Sequence, residues 1–465
     1  MRGLALAVLC LLFFPGAAAL AWETETLEEN GPSANRVDLV ILGDGYTASE
    51  QDAFRDDALG LMGYFFSSTP FAEYRVQYNV HIVYVISPES GADHPSRGIY
   101  RDTALNATYE FADLDRFLVV DEEKALIAAL DAAALDYVFV LVNDAEYGGS
   151  GGTLAVTSVH EQAPEILAHE VGHMFGELAD EYEDPFPGHP PDDWEANVTF
   201  ETRRERIKWN VWIDAATPLP TPPVPEWAEA VGLFEGARYL SEGIYRPRLD
   251  CRMRTLGVDF CEICAEHLIR SIYATVSPSD AEGGGVRIAA NGRTTLDARL
   301  LQTDPPAVRA DWTIDGAPVA ADALAGRLLL NAGGLGQGFH EVAAFVRDES
   351  EWLRLPEALD EASAEVRWTV EVTDEIEDGD EAIDGDGDEP SEDGDAADGD
   401  ETPDGDEMPE DGDAADGDEP SEDGDAAHDD EAGGSGGGLC RGVGAAAPYW
   451  LVLAVGGLIR RFRRR

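Results

Sequence analysis

A chain of 465 residues is longer than one ordinary domain, and 44% hydrophobic residues are enough to build a sizeable core. It carries 32 basic against 93 acidic residues, a net charge of -61, which repels nucleic acid and anionic membrane surfaces and excludes a nucleic-acid function. About half of that excess, 31 acids with no Lys or Arg, lies between residues 374 and 431, so the rest of the chain is only moderately acidic.

Residues 1–21 read as a secretory signal. Arg2 supplies the positive start, residues 4–14 the short apolar run, and Ala19-Leu20-Ala21 a cleavage site before Trp22. The apolar run is too short to span a bilayer well. Export implies an oxidising compartment, in which Cys251, Cys261, Cys264 and Cys440 remain after Cys10 leaves with the signal.

The mature chain begins with a buried strand over 36–42, followed by a Gly43-Asp44-Gly45 turn. Thr47 and Glu50 form a capping box that opens a helix to about Phe66. Strands are expected at 79–86, 136–142 and 153–159, a helix at 122–133, and a flexible Gly-rich loop at 147–152. Pro164 then opens another helix at a position proline tolerates. Strands alternating with helices indicate an α/β (α+β) domain, residues 22–280. Residues 185–228, rich in Pro and Trp, read as a long ordered loop, and helical pattern returns at 264–274. From 286 to 372, short alternating runs (310–314, 327–330, 340–346, 364–372) are split by Gly and Pro, the pattern of a small Ig-like β-sandwich.

Residues 374–438 are low-complexity, and the decapeptide DEPSEDGDAA at 388–397 recurs at 418–427. Massed like charge with few apolar side chains makes a disordered, self-repelling linker. An EF-hand loop needs Gly at its sixth position; counted from Asp384 that position is Glu389, so calcium binding here is expected to be diffuse. The last segment, 439–465, combines Cys440, an apolar run over 443–459 and a terminal cluster of Arg460, Arg461, Arg463, Arg464 and Arg465. The run is just long enough to cross a bilayer with the basic cluster kept inside. Its order resembles the C-terminal sorting signals of myxobacteria, which implies cleavage and hand-over to the cell surface or outer membrane; a plain tail anchor is the other reading.

The chemistry-bearing motif is His169-Glu170-Val171-Gly172-His173. Residues four apart share a helix face, so both imidazoles reach one ion, and zinc suits imidazole ligands. Glu170 beside the metal is placed to take a proton from water activated there. A catalytic zinc needs a third protein ligand and an open position. Asp180 lies about 20° from His169 around a helix, but seven residues beyond His173 is about 10.5 Å of rise, too far for one ion. The helix must therefore break, and Gly176 is the expected place. Zinc families with such a break take the third ligand three residues after the Gly, which is Ala179 here, so Asp180 departs from that spacing by one. Glu181 is the near alternative, and Glu235 the alternative if a later element supplies a glutamate.

Residues 169–182, HEVGHMFGELADEY, resemble the core motif of the IgA-peptidase family of zinc metalloendopeptidases. The likeness extends to LGDGY at 42–46, NDAEYGGSGG at 143–152, GLFEGARY at 232–239, YRP at 245–247, CRMR at 251–254 and FCEIC at 260–264, and so spans about 35–270. It implies a zincin or metzincin-like fold, a twisted sheet over the active-site helix whose edge strand, 153–159, receives substrate as an added strand. It also implies Met253 as the turn methionine beneath the zinc, and Tyr245 or Tyr239 as an oxyanion stabiliser. For Cys251, Cys261 and Cys264 the expectation is a disulfide from Cys251 to one of the other two, since export disfavours a thiolate metal site and only three Cys are at hand; one Cys is then left over. Asn106 and Asn197 match glycosylation sequons that carry no meaning in a bacterial-looking chain.

The leading expectation is a secreted, surface-displayed zinc endopeptidase acting on protein or peptide, touching membrane only through its tail. A non-catalytic adhesin or binding module that keeps the fold is the alternative from another class, and the intact Glu170 speaks against it. A zinc amidase acting on cell-wall peptides is a third.

Overall fold

The computed structural model describes residues 21–185 and 191–374. The expected signal, the acidic linker with its diffuse calcium binding, and the C-terminal tail lie outside the described residues.

The N-terminal part carries β1 (Glu23–Glu28), β2 (Val37–Asp44), α1 (Gln51–Phe65), β3 (Tyr78–Tyr84), α2 (Glu122–Ala129), β4 (Tyr137–Val142), β5 (Gly149–Ser150), β6 (Ala155–Ser158), α3 (Ala163–Met174), β7 (Phe234–Ala237), β8 (Leu240–Arg246) and α4 (Glu262–Tyr273). The first six strands form one sheet in the order β1-β3-β2-β4-β6-β5. Its centre is parallel, with β2 between β3 and β4 and β4 beside β6; β1 and β5 are antiparallel.

Every residue of β2 is buried, because helices cover both faces of the sheet and an apolar side chain is needed on each. Successive side chains alternate faces. Val37, Leu39 and Ile41 pack with Phe54 and Phe65 of α1 and Val171 of α3. Val40 and Leu42 pack on the other side with Ala125 and Ala128 of α2. Glu50 reaches back to the Thr47 N–H at 2.8 Å, half of the expected capping box, and the helix starts one residue later.

Two expectations are overturned. The segment 153–159 is not the sheet edge: β6 is sandwiched between β4 and β5, and β5 is the outermost strand in the order. The Gly-rich stretch is not a flexible loop either. A Cβ on Gly148 would lie 2.4 Å from the Tyr109 ring, and one on Gly149 would lie 2.9 Å from the Val156 carbonyl. These glycines permit close approach of backbone.

The C-terminal part carries β9 (Gly284–Ala289), β10 (Arg293–Asp297), β11 (Val308–Ile314), β12 (Ala317–Val319), β13 (Arg327–Asn331), β14 (Gly338–Asp348), α5 (Pro356–Glu361) and β15 (Ser363–Thr373). A five-stranded sheet, β12-β11-β14-β15-β9, faces the β10-β13 pair across a core in which Trp312 and Trp368 stack at 5.2 Å. This β-sandwich is seated on α4. Tyr74 and Tyr273 both donate to buried Asp348, at 2.6 and 2.9 Å. Buried Glu266 accepts from the Arg354 and Leu355 backbone and from Trp212. Among the described residues no helix is long and apolar enough to cross a membrane.

Candidate metal centre

Helix α3 opens with Pro164 in its first turn and buries Ile166, Leu167, Ala168 and Val171. The same periodicity turns His169, Glu170 and His173 toward the half-exposed side. Beneath the helix, a Cβ on Gly172 would fall 2.4 Å from Met253 Sδ, so glycine lets the buried Met253 lie directly under the His-x-x-x-His turn.

The helix ends at Met174 in a widened turn. Gly176 N–H reaches the Val171 carbonyl at 3.3 Å, five residues back, and Leu178 N–H reaches Gly172 at 3.1 Å, six back. The left-handed residue is Glu177, at φ 51°, not Gly176. Gly176 is required for packing instead, because a Cβ there would lie 2.8 Å from both the Gly172 carbonyl and Leu268. The wide turn absorbs the extra residue of spacing, and Asp180, not Ala179, arrives opposite the histidines.

Asp180 Oδ1 lies 3.1 Å from His169 Nε2 and 3.2 Å from His173 Nε2, and the two Nε2 atoms are 3.2 Å apart. Donors each about 2.0–2.1 Å from one tetrahedral ion stand about 3.3 Å apart, so this triangle fits a single zinc-sized ion with one side left open. Both ring tautomers are fixed from behind. His169 Nδ1 lies 3.0 Å from the Arg252 carbonyl and His173 Nδ1 2.7 Å from the Leu178 carbonyl. A carbonyl only accepts, so each Nδ1 carries a proton and each Nε2 is the atom presented to the triangle.

Electrostatics tie the three together. Burial disfavours charge on His173, but the Asp180 carboxylate outweighs it and raises His173 to about 10. Burial pushes Asp180 up, yet the two imidazoles hold it well below the usual carboxylate range. Its other oxygen, Oδ2, accepts from the Tyr239 hydroxyl. Tyr239 stands in the two-residue turn between β7 and β8, where Arg238 (φ 50°) and Tyr239 (φ 67°) are both left-handed. Backbone bonds from Arg238 to Asp180 and from Tyr239 to Tyr182, both 2.9 Å, fasten this turn to the segment bearing Asp180. Glu170 is half-buried beside the triangle; a Cβ on Gly151, next to β5, would meet its Oε2 at 2.1 Å.

A family model described as IgA peptidase M64 matches residues 26–228 and 224–272, just over half of the chain. The chain belongs to this family. The IgA peptidase M64 match covers the whole of the His169–Asp180 region and the hairpin that holds it, and it supports a metallopeptidase acting on protein or peptide. No curated protein matches the chain. Among solved structures, a quinonprotein alcohol dehydrogenase-like protein from Bacteroides thetaiotaomicron aligns at 7% identity and TM-score 0.15, over 19% of this chain and 17% of that one. Fibronectin(III)-like modules of Clostridium thermocellum CbhA align at 20% identity and TM-score 0.15, over 20% of this chain and 92% of that one.

The remaining candidates of this M64 chain are placed elsewhere. Glu235 is exposed on β7, where its Oε1 accepts from Gly243 N–H at 2.9 Å. Tyr245 sits opposite Glu235 on β8, with its backbone paired to Thr199. Glu181 faces away from the histidines, toward Cys251, Cys261 and Cys264. Those three are free thiols, against the expected disulfide: the Cys251 and Cys264 sulfurs stand 3.7 Å apart, and a carboxylate completes their group. Asn197, which in the sequence is only a sequon, has a structural role. It is fully buried, bonds the Ala179 backbone on both its N–H and carbonyl at 2.8 Å, and donates to Glu181 Oε1 at 2.9 Å. Nothing in the local sequence marks that role.

Proposed function

We propose that the chain is an exported zinc metalloendopeptidase, with His169, His173 and Asp180 as the metal ligands and Glu170 as general base. The observation that carries this is the donor triangle, 3.1–3.2 Å on each side, with a carboxylate alongside that is not part of it. Two imidazoles and one carboxylate favour zinc among divalent ions. Bound there, zinc would polarise the scissile carbonyl and bring the pKa of a water toward neutrality.

The chain's own residues supply the rest. Glu170 takes the proton of the attacking water and delivers it to the leaving amine. The Arg252 and Leu178 carbonyls keep both Nε2 atoms aimed inward, and Tyr239 fixes the Asp180 carboxylate. An extended substrate laid beside Gly151, on the β5 side of the sheet, brings its carbonyl next to Glu170. Tyr239 is engaged with Asp180, so its role is to position that ligand. Met253 serves as packing under the ligand-bearing turn, a metzincin-like feature. The leader at 1–21 and the tail at 439–465 support export and display at the cell surface.

The test uses the full chain and its Glu170→Gln variant, with zinc content and cleavage of a mixed peptide library as readouts. Both proteins are expected to hold zinc and only the parent to cut. If the parent holds zinc and its cleavage of the library is no greater than that of Glu170→Gln, the enzyme reading gives way to a binding module. Cleavage confined to cell-wall peptides would move the substrate class to the amidase alternative.

A further inference from the structure

We infer that Glu181, Cys251, Cys261 and Cys264 form a second metal site, wholly buried, that takes a thiophilic divalent ion such as zinc as a structural element. These four residues come from three separate stretches of chain, and one ligand atom from each lies within 4.8 Å of all the others. Cys261 caps α4 and Cys264 sits in its first turn, a Cys-x-x-Cys pair with the spacing used by structural zinc sites. Cys251 comes from the turn before α4, and Glu181 from the segment that follows Asp180.

The distances decide between ways of satisfying the group. Two sulfurs each about 2.3 Å from one tetrahedral ion stand about 3.8 Å apart, and such a sulfur stands about 3.5 Å from a carboxylate oxygen on the same ion. Cys251 Sγ to Cys264 Sγ is 3.7 Å, and Cys264 Sγ to Glu181 Oε1 is 3.6 Å. A disulfide needs about 2.05 Å and leaves the third sulfur over, whereas one ion uses all three. The Cys261 N–H donates to Cys251 Sγ at 3.2 Å, a bond that favours a thiolate.

A second observation is independent of the sulfurs. Glu181 is 0% exposed, and its Oε2 has no hydrogen-bond partner among the described residues. A carboxylate oxygen removed from water without a partner costs free energy that a cation recovers. One carboxyl and three thiols, all buried, are arranged as ligands and not as an apolar core. The site is distinct from the histidine triangle. Asp180 and Glu181 are consecutive, yet one side chain joins the histidines and the other the cysteines.

The test reads metal and not peptidase activity, so it stands apart from the function proposed above. The full chain carrying Asp180→Ala, which removes a donor from the histidine triangle, is purified without reductant, loaded with cobalt(II), and dialysed. About one ion per chain is expected to remain, against about two in the parent, with the intense near-ultraviolet band of sulfur-to-cobalt charge transfer. Adding Cys264→Ser abolishes the band. If that variant does not fold, Glu181→Gln, which keeps all three sulfurs and the side-chain shape, is used in its place: retention against a chelator falls at least about tenfold while the band persists. An Asp180→Ala protein that holds no metal and shows no sulfur band overturns the proposal, as does thiol titration showing that two of the three cysteines are already paired.

Discussion

Two groups of side chains stand one peptide bond apart in this molecule and differ in almost every physical respect. Asp180 faces two half-exposed imidazoles with one side open, while Glu181 faces three thiols and all four are buried. An open coordination position is what a catalytic metal needs, and a closed set of ligands is what a structural one needs. A single short strap, pinned by Arg238 and Met253 backbone bonds, sets the geometry of both groups at once.

The largest effect is expected of Asp180→Ala. It should remove metal from the histidine pair and bring turnover to background while the sulfur group keeps its ion; metal analysis beside a peptide assay reads both. Next is Glu170→Gln, where the two functions of the open site separate. Metal content stays at the parental level, and kcat falls by about 10²–10⁴-fold; a fall in bound metal of the same size would show that Glu170 acts as a ligand. Tyr239→Phe sharpens the picture from behind. Loss of its bond to Asp180 Oδ2 should weaken metal affinity or activity about 10–100-fold, with the sulfur-bound ion unaffected. The smallest effect is expected at the residue that touches both sides of the strap. Asn197→Ala leaves buried Ala179 backbone groups without partners and should cost about 1–3 kcal/mol in chemical denaturation, with the fully folded protein still active.

Much of the sheet was legible. The apolar runs at 36–42, 79–86 and 136–142 mark β2, β3 and β4 within two residues, because strands buried on both faces cannot be polar. The helix from Pro164 was legible through its proline and its histidine spacing. Other elements were hidden for identifiable reasons. Strand β1, ETETLE, is an exposed edge whose charges obscure the alternation while guarding the edge from other chains. The β7–β8 hairpin turns on Arg238 and Tyr239, bulky residues where Gly or Asn is the usual signal, and each left-handed residue costs about 1–2 kcal/mol. That strain is held because the turn delivers Tyr239 to Asp180.

The histidine pair, its neighbouring glutamate and the helix that aligns them are written in the local sequence, since four-residue spacing on a helix is a local property. That sequence also requires a break after His173. How that break is made, with Glu177 left-handed and a widened last turn, follows from the fold as a whole, and so does the split that sends Asp180 to the histidines and Glu181 to the cysteines. Contacts between segments distant along the chain carry no local signature: Arg252 behind His169, Met253 under Gly172 and Asn197 against Ala179 are set by packing, and packing depends on where the whole chain has folded.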